Sequence, residues 1–184
     1  MTGRLVAVVG PSGAGKDTLL AGAMAQRPGL IWARRVITRP EEAGGEPFEG
    51  VSLVEFEARK ARGAFALHWV AHGLSYGIPA SILPQLQAGQ VVLFNGSRAV
   101  LPRAAALFPD LAVVLITADR AALRARLAAR GRESGMEQDR RLARADFAMP
   151  EGIAHEVVDN SGPVEDGVQA LVAVLDRLAA GPRG

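Results

Sequence analysis

Apolar residues recur along this chain in two rhythms. Short continuous runs of aliphatic residues alternate with longer stretches whose apolar positions lie three or four apart. Residues 4–9, from Arg4 to Val9, form a Val-rich run of the kind a buried parallel strand needs. A Gly-rich turn follows, and Asp17 to about Arg27 reads as helix, stopped by Pro28 and Gly29. A second strand is predicted over Trp32–Thr38, then a loop from Pro40 to Gly50, dense in Gly, Glu and Pro. Ser52–Ala61 is predicted as helix, with Ser52 as N-cap and Glu55 three residues on in a capping-box pattern. Phe65–Val70 is strand-like, and Pro79–Leu86 reads as a short helix with proline in its first turn.

Beyond Gly89 the alternation becomes regular. Strands are predicted at Gln90–Phe94, Leu111–Thr117 and His155–Asp159, with helices at Arg98–Leu107, Ala121–Arg130 and Val164–Leu178. In the last of these, Val168, Leu171, Val172, Leu175 and Leu178 fall at helical intervals. Strands and helices alternating in this way imply an α/β fold, a parallel sheet covered on both faces. With no repeat and no linker, residues 1–184 read as a single domain. Two stretches interrupt the alternation, roughly residues 36–88 and the Arg-rich stretch from Arg130 to about Pro150. Elements that close over a substrate would be inserted there.

Composition narrows the class. Hydrophobic residues make up 49% and charged residues 22%, ordinary for a globular protein. No apolar run approaches the roughly 20 residues of a membrane helix, and the N-terminus enters a strand at once without a basic-then-apolar leader. The absence of cysteine excludes disulfides and thiolate metal sites and suits the cytoplasm. A pI of 9.6 looks like a nucleic-acid signal, but the formal net charge is only +2. With no cysteine and one tyrosine, little titrates just above neutrality, so a small excess of Arg drives the pI up; we expect no nucleic-acid partner. Only two of the 21 basic residues are lysines, Lys16 and Lys60, and one of them stands in the Gly-rich turn.

That turn, Gly10, Pro11, Ser12, Gly13, Ala14, Gly15, Lys16, has the spacing of a phosphate-binding loop between a strand and a helix. Backbone N–H groups of such a loop wrap the ATP phosphates, the lysine contacts the β- and γ-phosphates, and the helix points its positive end at them. One position departs: Asp17 fills the slot where Ser or Thr usually ligates Mg²⁺, with Thr18 next. A carboxylate is a good hard ligand for Mg²⁺, and the strand ending near Phe94 carries Asn95 where an Asp is common. The expectation is that Asp17 supplies the charge Asn95 lacks, with Thr18 assisting; the alternative is that Asp17 only caps the helix.

Phosphoryl transfer depends on alignment and on cations around the moving group. Residues 125–144 contain Arg126, Arg130, Arg132, Arg140, Arg141 and Arg144, broken by Gly131 and Gly135, as suits a hinged lid. Arg124, Arg126, Arg140 and Arg144 are expected on a solvated basic face. On the other side Arg34, Arg35 and Arg39 cluster with Thr38, in reach of acceptor phosphates, and at least one of the three has even odds of a structural role. His68 and His72 flank Trp69 but lack a third ligand at metal spacing, so no zinc site is expected.

Taken with the phosphate loop, the segments Thr38–Pro40, Gly63–Phe65, His72–Pro79 and Arg130–Glu133 resemble the guanylate kinase superfamily over nearly the whole chain. The resemblance implies a P-loop NTPase fold of three layers around a five-stranded parallel sheet, with a lid near residues 130–150 and a substrate-binding insertion near 36–88. It also implies that Arg39 binds acceptor phosphate and that Arg130 and Arg141 act from the lid. The guanine-reading residues are missing. Leu67 stands where guanylate kinases place a Glu, Arg35 where a Ser is usual, and Phe48 is the nearest aromatic after the Gly/Glu loop. A pocket cannot trade a carboxylate for Leu and still select guanine.

These replacements, with Lys16-Asp17-Thr18, Arg35–Arg39 and Asn95–Arg98, are similar to one branch, the ribose 1,5-bisphosphate phosphokinases of phosphonate breakdown. That similarity implies MgATP as phosphoryl donor and a phosphorylated sugar as acceptor, giving 5-phosphoribosyl 1-diphosphate. It assigns Arg35, Thr38, Arg39, Tyr76 and Arg98 to the acceptor, and Lys16, Arg130 and Arg141 to the transferring phosphoryl. The rival expectations are a nucleoside monophosphate kinase and a guanylate-kinase-like module that binds partners without catalysis. Oligomeric state has no signature in the sequence.

Overall fold

In chain order the protein forms β1 (Arg4–Val9), α1 (Lys16–Gln26), β2 (Ile31–Trp32), β3 (Arg35–Ile37), β4 (Phe48–Gly50), α2 (Leu53–Ala61), β5 (Phe65–Ala71) and β6 (Leu74–Pro79). It continues with α3 (Ile82–Gln87), β7 (Val91–Asn95), a single 3-10 turn over Arg98–Val100, α4 (Leu101–Leu107), β8 (Ala112–Thr117), α5 (Arg120–Ala129), β9 (Glu156–Asp159) and α6 (Val164–Ala179). The structure, a computed structural model, describes residues 3–40, 47–129 and 148–180. Arg130, Arg132, Arg140, Arg141 and Arg144, and with them most of the expected lid, lie outside the described residues.

Five strands pair in the order β2-β7-β1-β8-β9, all parallel. The two-residue period of a strand divides their side chains between two cores. Val6 and Val8 of β1, Leu93 of β7, and Val114 and Ile116 of β8 face one way, onto Leu19 and Leu20 of α1 and Val168, Leu171 and Leu175 of α6. Leu5, Ala7, Val9, Val92, Phe94 and Val113 face the other way, onto Val100, Leu101 and Ala104 and onto Leu67, Trp69 and Ile78. The central strands β7, β1 and β8 are therefore buried on both faces, which explains why they are almost continuously apolar. α1 and α6 approach closely at Gly22, where a Cβ would stand 2.5 Å from Val168 Cγ2.

A second sheet, of order β4-β3-β6-β5, is drawn from residues 35–79. β5 and β6 form a hairpin across His72 and Gly73, both with positive φ (52° and 75°), as the two-residue turn that matches strand twist requires.

Three expectations change here. The strand expected over Trp32–Thr38 is two strands in different sheets: Ala33 N–H still bonds Leu93 O at 2.8 Å, and the chain then leaves the central sheet. The loop expected to reach Gly50 ends in β4, because Phe48 is buried and Phe48–Gly50 pair with Arg35–Ile37. The helix expected from Pro79 starts at Ile82, and Pro79 ends β6, paired with Phe65. Gly77, a breaker by composition, is where the Phe65 ring covers the backbone: a Cβ there would meet Phe65 Cδ1 at 2.6 Å. The capping prediction holds in half. Ser52 Oγ accepts from Glu55 N–H at 3.2 Å, but the Glu55 carboxylate turns to Arg59 Nε at 2.7 Å.

Candidate active site

β1 delivers the chain into the phosphate loop and α1 leads it away. Gly10 (φ 154°) lies so close to β8 that a Cβ would stand 2.2 Å from Ile116 O. Ala14 N–H bonds Pro11 O at 3.2 Å, and Lys16 reaches back over the loop, donating from Nζ to Gly10 O at 2.8 Å and Pro11 O at 3.0 Å. The lysine thus staples the loop and holds its charge inside the curve. Gly13 and Ala14 are buried, Ser12 is exposed, and Gly10, Pro11 and Gly15 are half-buried.

Gly15, at φ 89°, is the N-cap of α1, and no side chain caps the helix. Asp17 therefore does not act as the cap. Its Oδ1 accepts a 2.6 Å hydrogen bond from Asn95 Nδ2, the last side chain of β7. Thr18 is exposed beside it.

The loop is held from behind by two residues that the sequence reading did not assign to the site. Asn160, directly after β9, is 2% exposed and donates from Nδ2 to Ala14 O at 2.7 Å. Arg126 of α5 donates to Ala14 O (3.4 Å) and Asn160 O (2.7 Å). Arg126 thus departs from the solvated face expected of it, whereas Arg124 is exposed as expected. The only sequence signal for Asn160 was its place at the carboxyl end of a strand, where open α/β sheets bind ligands.

A second set of side chains lies across the inner face of the second sheet. Tyr76 stands opposite Ile37 on β3 and Trp69 on β5. The Arg35 guanidinium lies 5.1 Å from the Tyr76 ring centroid, and the Trp69 ring stacks on Tyr76 at 5.2 Å and 10°. Further along, the Arg39 guanidinium lies over Phe48 at 4.4 Å. Thr38 extends the ladder between β3 and β6: its N–H bonds Ser75 O at 3.1 Å and its Oγ1 accepts from Ser75 N–H at 2.9 Å. Of the three clustered arginines, Arg34 has a structural contact, donating to Phe48 O at 2.9 Å. Arg98 sits in the 3-10 turn after β7, where burial disfavours its charged form.

β7 joins the two sets. Phe94 tilts against Trp69 at 6.3 Å, and the next residue, Asn95, bonds Asp17. Consecutive residues of one strand thus touch both sets: Asn95 meets Asp17, and Phe94 meets Trp69, the first of the row that continues to Tyr76 and Arg35. His68, outside this set, shares a 3.0 Å contact between its Nε2 and Arg103 Nη2 of α4.

The chain is 50% identical over 175 residues to a ribose 1,5-bisphosphate phosphokinase PhnN from Ruegeria sp. (strain TM1040), covering 94% of this chain and 92% of that protein. It is also 50% identical over 184 residues to the protein of that name from Pseudomonas fluorescens (strain SBW25), covering 96% of each. The chain belongs to the ribose 1,5-bisphosphate phosphokinase family. No general protein-family model matches it. Among solved structures, guanylate kinase from Anaplasma phagocytophilum superposes with a TM-score of 0.70 over 96% of this chain and 86% of that one, at 18% identity, a likeness of fold. A ribose 1,5-bisphosphate phosphokinase family member therefore has the covered parallel sheet that the alternation of strands and helices implied, in the three-layer P-loop form that the resemblance implied.

Proposed function

We propose that the chain transfers the γ-phosphoryl group of ATP to the 1-phosphate of ribose 1,5-bisphosphate, giving 5-phosphoribosyl 1-diphosphate and ADP. The observation that carries this reading is the pairing of an intact phosphate loop with an acceptor face that offers Arg35 and Arg39 on aromatic rings and has Leu67, 1% exposed, where a base-reading carboxylate would be. Relatives of about half identity bear the name of this activity.

An oxygen of the acceptor phosphate attacks the γ-phosphorus, and the bond from that phosphorus to the β,γ-bridging oxygen breaks. The attacking phosphate is already an anion, so no general base is required. Lys16 and the loop N–H groups hold the β- and γ-phosphates. Arg130 and Arg141, from a lid near residues 130–150, neutralise charge on the transferring group. Arg35, Thr38, Arg39, Tyr76 and Arg98, on an insertion near residues 36–88 and the turn after β7, hold the acceptor. All of this belongs to one domain.

Among the described residues no group of three or more His, Cys, Asp or Glu is placed to hold a metal ion by itself. One carboxylate, Asp17, beside one exposed hydroxyl, Thr18, fits Mg²⁺ arriving with ATP, because this ion is commonly held by one or two carboxylates plus substrate phosphates. When bound it neutralises phosphate charge, and Asp17, oriented by Asn95, would hold it. The cysteine-free chain suits the cytoplasm. No described helix is long and apolar enough to cross a membrane.

The test is ADP formation from ATP with ribose 1,5-bisphosphate and, side by side, the common nucleoside monophosphates. Turnover with the sugar bisphosphate is expected to exceed that with any nucleotide; the reverse order would install a nucleoside monophosphate kinase instead.

A further inference from the structure

Tyr76 lies on the strand between β3 and β5, and each neighbour covers it. Arg35 reaches it from β3 and Trp69 stacks on it from β5. No open aromatic face is left in this row for a nucleobase. The indole itself is wedged between Tyr76 and Phe94, 7% exposed, with Leu67 and Ile78 buried in the same cluster. Its Nε1–H is buried and has no hydrogen-bond partner. Phe would fill such an apolar wedge without stranding a donor, so packing alone does not account for an indole here.

We propose that Trp69 is a specificity-determining residue: its ring occupies the depth of the acceptor site that a nucleobase would need, and so restricts the acceptor to sugar phosphates without a base. This deepens the ribose bisphosphate kinase reading and rests on it. The physical contrast is one of volume and desolvation. A base entering against Leu67 and Trp69 would have to displace a packed ring and leave its own donors unpaired. A ribose bisphosphate needs only the guanidinium groups at the rim of the same row.

Trp69→Leu keeps apolar contact with Phe94 but uncovers the Tyr76 ring, whereas Trp69→Phe keeps an aromatic wedge. ADP formation would be followed for both variants and the unaltered protein, with ribose 1,5-bisphosphate and with adenosine and guanosine monophosphates. The expected result is that Trp69→Leu raises the ratio of nucleotide to ribose bisphosphate turnover at least tenfold, while Trp69→Phe, one ring smaller, raises it by less. An unchanged ratio in a folded Trp69→Leu protein overturns the proposal.

A second measurement does not depend on how Trp69→Leu folds. The other tryptophan, Trp32, packs against the opposite core, so Trp32→Phe leaves Trp69 as the sole indole. Titrating ribose 1,5-bisphosphate into that protein without ATP is expected to give a saturable change in tryptophan emission; a flat titration overturns the proposal. If the unaltered protein does not phosphorylate ribose 1,5-bisphosphate, the functional reading falls and takes this inference with it. If it does and the ratio does not move, this inference alone falls.

Discussion

The Asn95 amide donates a 2.6 Å hydrogen bond to the Asp17 carboxylate, tying the end of β7 to the first turn of α1. The carboxylate that phosphate-loop proteins often carry on the strand is here on the helix, and the strand supplies a neutral donor that orients it. Asp17→Ser should therefore raise the Mg²⁺ concentration needed for half-maximal rate by about tenfold or more, read from initial rates at saturating ATP. An unchanged Mg²⁺ curve would remove Asp17 from the metal. Asn95→Asp would set two carboxylates in contact, which disfavours both being ionised. A loss of about 2 kcal/mol in metal-free buffer is expected, with part of the melting temperature restored by MgATP.

Lys16 holds the loop through Gly10 O and Pro11 O, but the loop has a second anchor at Ala14 O. Lys16→Met should thus remain folded while its turnover falls by about 100- to 1,000-fold, the range for removing a group that meets developing charge. Melting curves alongside steady-state kinetics separate the two effects. A folded variant with normal turnover would end the kinase assignment.

Much of the fold was legible because its signals are local. A Val-rich run, a Gly-rich turn and a helix stop lie within about 25 residues of one another, and the structure forms β1 and α1 almost at the predicted bounds. β6 was not legible, because Gly77 and Pro79 read as breakers until the Phe65 ring is seen to pack over the glycine. The division of Trp32–Thr38 into two sheets happens at Ala33 and Arg34, with no Gly or Pro to mark it. At the site, the loop and the Arg35–Arg39 cluster could be read from type and spacing. Arg126 and Asn160 could not, since their target carbonyl is 112 and 146 residues away in sequence.

Gly15 and Asn160 form the tightest point of that anchor. A Cβ on Gly15 would stand 2.4 Å from Asn160 Nδ2, at a backbone φ of 89° that suits only glycine. Gly15→Ala is expected to lose on the order of 2–3 kcal/mol, and Asn160→Ala about 1–3 kcal/mol through its buried hydrogen bond. The double variant should lose less than the sum, because removing the amide removes the clash; a coupling of at least about 0.5 kcal/mol is expected in urea titrations. Strict additivity would mean that the two positions do not meet.

His68 makes stability depend on pH. A guanidinium only donates, so the contact with Arg103 Nη2 requires His68 Nε2 to accept and the ring to be neutral. Burial, then Arg103 and Lys60, hold its pKa below the ordinary 6.5, against the smaller pull of Glu57. The unfolded chain therefore takes up the proton first as pH falls. The stabilisation is complete above about pH 6.5 and is lost as pH falls through the folded-state value. The carboxylates held low by partners, Glu55 beside Arg59 and Asp176 beside Arg27, titrate below their usual values and stay ionised in this window. Between about pH 7.5 and about pH 5.5 the melting temperature of the unaltered protein should thus fall more than that of His68→Gln, which keeps an acceptor for Arg103 without a titrating ring. Arg103→Gln should flatten the wild-type slope in part, since it removes the charge but leaves the burial. Equal slopes in all three proteins would show that the ring's protonation is not linked to folding.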